Sequence, residues 1–97
     1  MVRVVLLLNY TDKGVSHIKD SPKRAKAFRE LAAKHGAKVE SQLWTMGAYD
    51  GVVVLQAPDT ASAAAVAVAL GSLGNVRTTT LPAFDEGEFS GLLGKIG

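Results

Sequence analysis

Val39 to Ala57, VESQLWTMGAYDGVVVLQA, is the stretch that decides the fold. Val39, Ser41, Leu43 and Thr45 alternate with Glu40, Gln42, Trp44 and Met46. That is the two-residue period of a strand with unlike faces. From Tyr49 to Ala57 the chain is β-branched around Val52-Val53-Val54 and reads as the next strand. Only Gly47-Ala48 separates them as a turn. Strands joined so closely must form an antiparallel hairpin, because a parallel pair needs a long crossover.

Each side of the hairpin carries a helix and then a strand. Upstream, Ser21-Pro22 starts a helix, since serine caps free N–H groups and proline at the first position loses no bond. Ala25, Phe28, Leu31 and Ala32 form its apolar stripe, and Gly36 ends it in a left-handed cap. Before it lie a polar loop, Tyr10 to Asp20, broken at Gly14, and a Val/Leu-rich strand from Arg3 to Asn9. Downstream, Pro58 ends the hairpin and Asp59 caps an alanine-rich helix from about Thr60 to Leu73. Gly74-Asn75 terminates that helix, with Gly71 as an earlier stop. Val76 to Phe84 reads as a fourth strand, and Pro82 implies either that it leaves the ladder there or that it lies on an edge. The tail, residues 85–97, forms a short helix through Phe89, Leu92 and Leu93.

The order β-α-β-β-α-β defines an α+β, ferredoxin-like domain: a four-stranded antiparallel sheet with two helices on one face. The 97 residues fit one domain, with its core over about 2–84. A hydrophobic share of 47% and a charged share of 21% are those of a globular chain. The absence of cysteine excludes disulfides, thiol catalysis and cysteine-ligated metals, and suits a cytoplasmic protein. Val4 to Leu8 is too short to span a bilayer and has no cleavage site after it, so neither membrane nor signal peptide is expected. A net charge of +2 is too small to imply nucleic acid.

With both helices on one side, the other sheet face is bare. Alternation assigns Lys38, Glu40, Gln42 and Trp44 to one set. A face mixing Trp44 and Met46 with valines is too apolar to stay in water. The expected solution is a homodimer or larger closed oligomer in which two sheets face each other.

Three blocks of the chain resemble one family. Tyr10-Thr11-Asp12-Lys13-Gly14 with Ile18-Lys19-Asp20-Ser21-Pro22-Lys23-Arg24 is the first. Trp44-Thr45-Met46-Gly47-Ala48-Tyr49-Asp50 with Ala57-Pro58-Asp59 is the second, and Leu70 to Leu81 the third. In this order, over about Val2 to Phe84, they are similar to the small prokaryotic GYD-domain proteins. Here Ala48 separates the glycine from the Tyr-Asp pair. The resemblance implies a ferredoxin-like, dimeric α/β-barrel relative and supplies no reaction.

Three candidate sites follow. The first is the loop around Thr11 and Lys19 leading to the helix at Ser21, where free N–H groups with Lys13, Lys23 and Arg24 would attract a phosphate or carboxylate. The simpler account is that Asp20 and Ser21 cap those groups. The second is Tyr49-Asp50 with Arg77, a carboxylate–guanidinium pair that more often serves structure than catalysis. The third is a cavity lined by Asn9, Trp44, Thr78 and Thr80, against the ordinary role of tryptophan as an anchor. His17 lacks companion ligands and His35 suits a helix C-terminus, so no metal is expected, and no cofactor. The function expected is a homo-oligomeric domain that binds a small ligand, with an anion as one candidate. Its rivals are a cofactor-independent enzyme of the monooxygenase type, by fold analogy alone, and a structural scaffold.

Overall fold

The computed structural model describes residues 1–97. Its elements run β1 (Val2–Tyr10), α1 (Asp12–Ser16), a 3-10 turn (Ile18–Asp20), α2 (Ser21–Lys34), β2 (Lys38–Trp44), β3 (Gly51–Ala57), α3 (Thr60–Ser72), β4 (Val76–Ala83) and α4 (Glu86–Leu93). The sheet order is β2-β3-β1-β4 with every pair antiparallel. This is the arrangement the split βαβ motif requires.

Alternation along β1 and β3 divides the sheet. Val4 and Leu6 with Val53, Leu55 and Ala57 are buried on one face. Phe28 and Ala32 of α2 and Ala63, Val66 and Ala67 of α3 pack there to complete one core. The alanines of α3 let its backbone lie close to the strands. Asp59 caps α3 by accepting the Ser62 N–H at 2.7 Å. That backbone bond holds its carboxyl pKa below the ordinary value. Gly36 and Gly74, both at positive φ, end α2 and the α3 connection as expected. β4 lies at a sheet edge, where Pro82 is tolerated.

Five expectations change. Residues 10–20 are not a loop: Tyr10 completes β1, and α1 and the 3-10 turn follow. Gly14 is no breaker. It lies buried in α1, where a Cβ would collide with the Asn75 carbonyl oxygen, so its lack of a side chain permits close packing. Ser21 is not a cap but the first residue of α2, and Asp20 in the cap position makes no side-chain bond. The hairpin strands are also shorter than their β-propensity implies, so residues 45–50 form the connection.

The change with most effect lies in β2. Val39 pairs with Leu55 and Ser41 with Val54, leaving Glu40 as an extra residue in a β-bulge. Beyond it the faces exchange. Gln42 and Trp44 turn to the helix side, while Ser41 and Leu43 join the open side, against the alternation of the sequence.

Replacing Gly14 with alanine should destabilise the fold by about 1–3 kcal/mol, the usual range for overpacking. Thermal unfolding of the variant beside the parent measures it; an unchanged midpoint would mean that α1 moves away from Asn75 freely.

Candidate functional site

A cleft opens on the helix side between the start of α2 and the far end of the hairpin. Its volume is about 70 Å³, and its walls include Leu8, Tyr10, Ser21, Arg24, Trp44 and Asp50. Tyr10 continues the inward set Leu6-Leu8 of β1, so its ring enters the apolar layer and its hydroxyl needs a partner. It finds buried Ser21, with Tyr10 Oη and Ser21 Oγ 2.5 Å apart.

Arg24, one turn into α2, reaches back over α1. Its Nη1 donates to the His17 carbonyl at 2.8 Å, and its Nη2 to the Gly14 carbonyl and Ser21 Oγ, each at 3.2 Å. A helix end leaves carbonyls without partners, and the guanidinium fork supplies donors for two in this segment. Arg24 is thus a brace for α1 as well as a cation at the cleft.

Asp50 closes the opposite wall. Its Oδ2 accepts the Tyr10 backbone N–H at 2.8 Å, and its own N–H donates to the Leu8 carbonyl at 2.7 Å. The hairpin end is thereby clasped to the end of β1. Asn9 adds a bond from Nδ2 to the Ala48 carbonyl at 2.8 Å.

Of the residues singled out from sequence, Arg24, Trp44 and Asp50 meet in this cleft. The others lie elsewhere. Thr11 caps α1 through Gly14 N–H and donates to the Gly74 carbonyl at 2.6 Å, tying the segment to the α3–β4 connection. Lys19 is exposed in the 3-10 turn. Tyr49 is exposed in the hairpin connection, its carbonyl taking the Thr45 hydroxyl at 2.6 Å.

Arg77 does not pair with Asp50. It donates to the Gly71 carbonyl at 3.4 Å, while the Asp50 carboxylate is occupied by Tyr10 N–H. The expected cavity of Asn9, Trp44, Thr78 and Thr80 does not form within the chain. Asn9 pairs with Arg77 on the open face, Trp44 lies on the helix side at β2, and Thr78 and Thr80 line a separate groove beside α3. Tyr10 and Ser21 were the residues missed. The period-two run Leu6-Leu8-Tyr10 was the available signal for the first; Ser21 looked like a cap from sequence.

The open face carries two apolar rows across the strands, Leu43-Val52-Leu7 ending at Thr79 and Val54-Val5-Leu81 starting at Ser41. Leu43 is 59% and Leu81 43% exposed, with no element over them. At the corner Arg3 gathers Glu40 at 2.9 Å, Glu88 at 3.3 Å and Asp85 at 3.9 Å. The Glu40 hydrogen bond raises the Arg3 pKa above its ordinary value.

Strand order, helix placement and the bare sheet face define a small α+β domain compatible with the ferredoxin-like class. The GYD domain family matches residues 4–93, and the chain belongs to that family. A protein of Thermus thermophilus named "Glutamine synthetase and cystathionine beta-lyase binding protein" is 36% identical over 84 residues, 86% of this chain and 88% of that protein. The crystal structure of TTHA0845 from the same organism has a TM-score of 0.57 at 25% identity, covering 88% of this chain and 95% of the other. No helix is long and apolar enough to cross a membrane.

Asp50→Ala leaves the partly buried Tyr10 N–H without its acceptor. A loss of about 1–3 kcal/mol is expected in denaturant unfolding, together with faster amide exchange at Tyr10 than in the parent. Unaltered exchange there would show the clasp to be dispensable.

Proposed function

We propose that this chain is a cytoplasmic protein-binding module that works as a homodimer. The open sheet face meets the same face of a second copy, and the hairpin end meets a partner protein. One observation carries the reading: large apolar side chains stand in water at the hairpin end and on the neighbouring sheet face. Trp44 is 52%, Met46 99% and Leu43 59% exposed. Tryptophan, tyrosine and methionine are the residue types enriched in protein interfaces. A bare apolar face of a sheet is normally buried against another surface. The 36% identical relative, named for binding glutamine synthetase and cystathionine β-lyase, supports a protein as partner.

The test uses purified glutamine synthetase from the same organism as the probe. Trp44→Ala should weaken its capture about tenfold or more, in the range of interface anchors, with the fold intact because the ring is half exposed. Leu81→Glu should halve the native mass by placing a carboxylate in the apolar row. A parent protein that is monomeric sinks the dimer; no capture of the synthetase, or equal capture by Trp44→Ala, sinks the hairpin contact.

A small anionic ligand in the cleft is the second reading. Arg24 commits three hydrogen bonds of its five N–H donors and lines the cleft of which Trp44 is another wall. Trp44 is the single tryptophan, so the tryptophan emission comes from a wall of the cleft. Titration with acetate or inorganic phosphate should shift that emission, and Arg24→Gln should abolish the shift. Constant emission through millimolar concentrations of both would eliminate the anion site.

A further inference from the structure

On the helix side, α3 leaves part of β4 uncovered. The groove between them has a volume of about 460 Å³. One wall is α3, where Thr60, Ala64, Val68 and Gly71 follow one another at helical spacing; the other is Thr78, Thr80 and Pro82 of β4. Val68 is 71% exposed, an apolar branched side chain left in water.

The tail presents the complementary shape. Phe89, Leu92, Leu93 and Ile96 stand at i, i+3, i+4 and i+7, so they form one stripe on α4 and its following turn. Phe89 is 52%, Leu93 49% and Ile96 79% exposed. An amphipathic helix gains stability by burying such a stripe.

The geometry points to docking of α4 from one copy into the α3–β4 groove of another. Three features favour this occupant. Bulky side chains from α4 would pack between Thr60 and Val68 onto the small residues Ala63, Ala64, Ala67 and Gly71 of the α3 wall, the large-against-small pattern of close-packed helices. The lengths are compatible: Glu86 to Leu93 rises about 10 Å at 1.5 Å per residue, within the about 16 Å of α3 wall from Thr60 to Gly71. The ends agree in charge as well. Laid antiparallel to α3, α4 puts Leu93 over Ala64 and Glu86 beside Gly71, where Arg77 holds only a 3.4 Å bond. Glu86 is the carboxylate of the first turn left over when Asp85 and Glu88 engage Arg3. Antiparallel helix dipoles add to this register.

The chain's own arm is turned away from its own groove. Arg3 lies on the open face and holds the start of α4 there, whereas the groove opens on the helix face. Reciprocal exchange between two chains fills both grooves and closes the assembly. Neither the groove nor the α4 stripe includes a residue of the open face's apolar rows, so this contact stands or falls independently of the sheet dimer.

The cysteine-free chain allows a direct test. Full-length Ala64→Cys and Leu93→Cys proteins are prepared separately, mixed, oxidised gently and weighed by intact mass. A mixed disulfide dimer is expected at roughly tenfold the yield of Ala64→Cys mixed with Met46→Cys, because a docked pair falls within the Cα separation that a disulfide needs. The yield should persist when both chains also carry Leu81→Glu, which separates this contact from the sheet dimer. A yield no greater than the Met46→Cys control overturns the proposal. So does a double variant, Ala64→Cys with Leu93→Cys, that closes mainly within one chain at every dilution.

Discussion

Between Val39 and Ser41 the second strand holds one residue more than its neighbour requires, and the side chains beyond it change face. Without that bulge, Leu43 would face the helices, and Gln42 and Trp44 would face outward. With it, Gln42 reaches Arg29 of α2 at 2.9 Å and Trp44 becomes a wall of the cleft. Leu43 completes the apolar row on the other side. Glu40, the residue in excess, remains free to reach Arg3 across the sheet. One local irregularity thus supplies a wall of the cleft, a member of the bare face and one partner of the corner cluster. Bulges commonly re-aim side chains in this way.

The cleft's polar groups explain why residue types that suggest chemistry here also do structural tasks. Asp50 and Arg24 sit in one cavity wall, yet each is committed to backbone groups: Asp50 to Tyr10 N–H, Arg24 to two carbonyls of the α1 region. Such charge-assisted bonds to the main chain are among the stronger ones in a fold. They hold together three segments at the margin of the hydrophobic core: the end of β1, the short helix α1 and the hairpin connection.

The sheet, the two large helices and the short terminal helix were legible because each follows a local rule: alternation, a 3.6-residue stripe, a cap, a terminating glycine. Of the two readings of Pro82 the edge position holds, since the ladder runs on past it to Ala83. The bulge was not legible. A run such as Val39-Glu40-Ser41-Gln42-Leu43-Trp44 satisfies strict alternation in either register, and only pairing with β3 decides which side chain is surplus. α1 was missed because Gly14 lowers helix propensity, while its reason for being glycine is the distant Asn75 carbonyl. Asp50 and Arg77 were expected to pair because opposite charges attract; a backbone N–H nearer to Asp50 prevailed. Asn9, Trp44, Thr78 and Thr80 were separated by sheet face, which depends on register.

Pro82 lies opposite Val4 within the β1–β4 ladder, which continues to Arg3 and Ala83. A residue without an N–H fits there when its nitrogen points to the outer rim of the sheet. The rim of β4 therefore lacks one donor near its end, so a further strand laid alongside would meet a gap in its bonding. Lateral growth into an extended sheet, the route by which exposed strand edges aggregate, is discouraged at that margin.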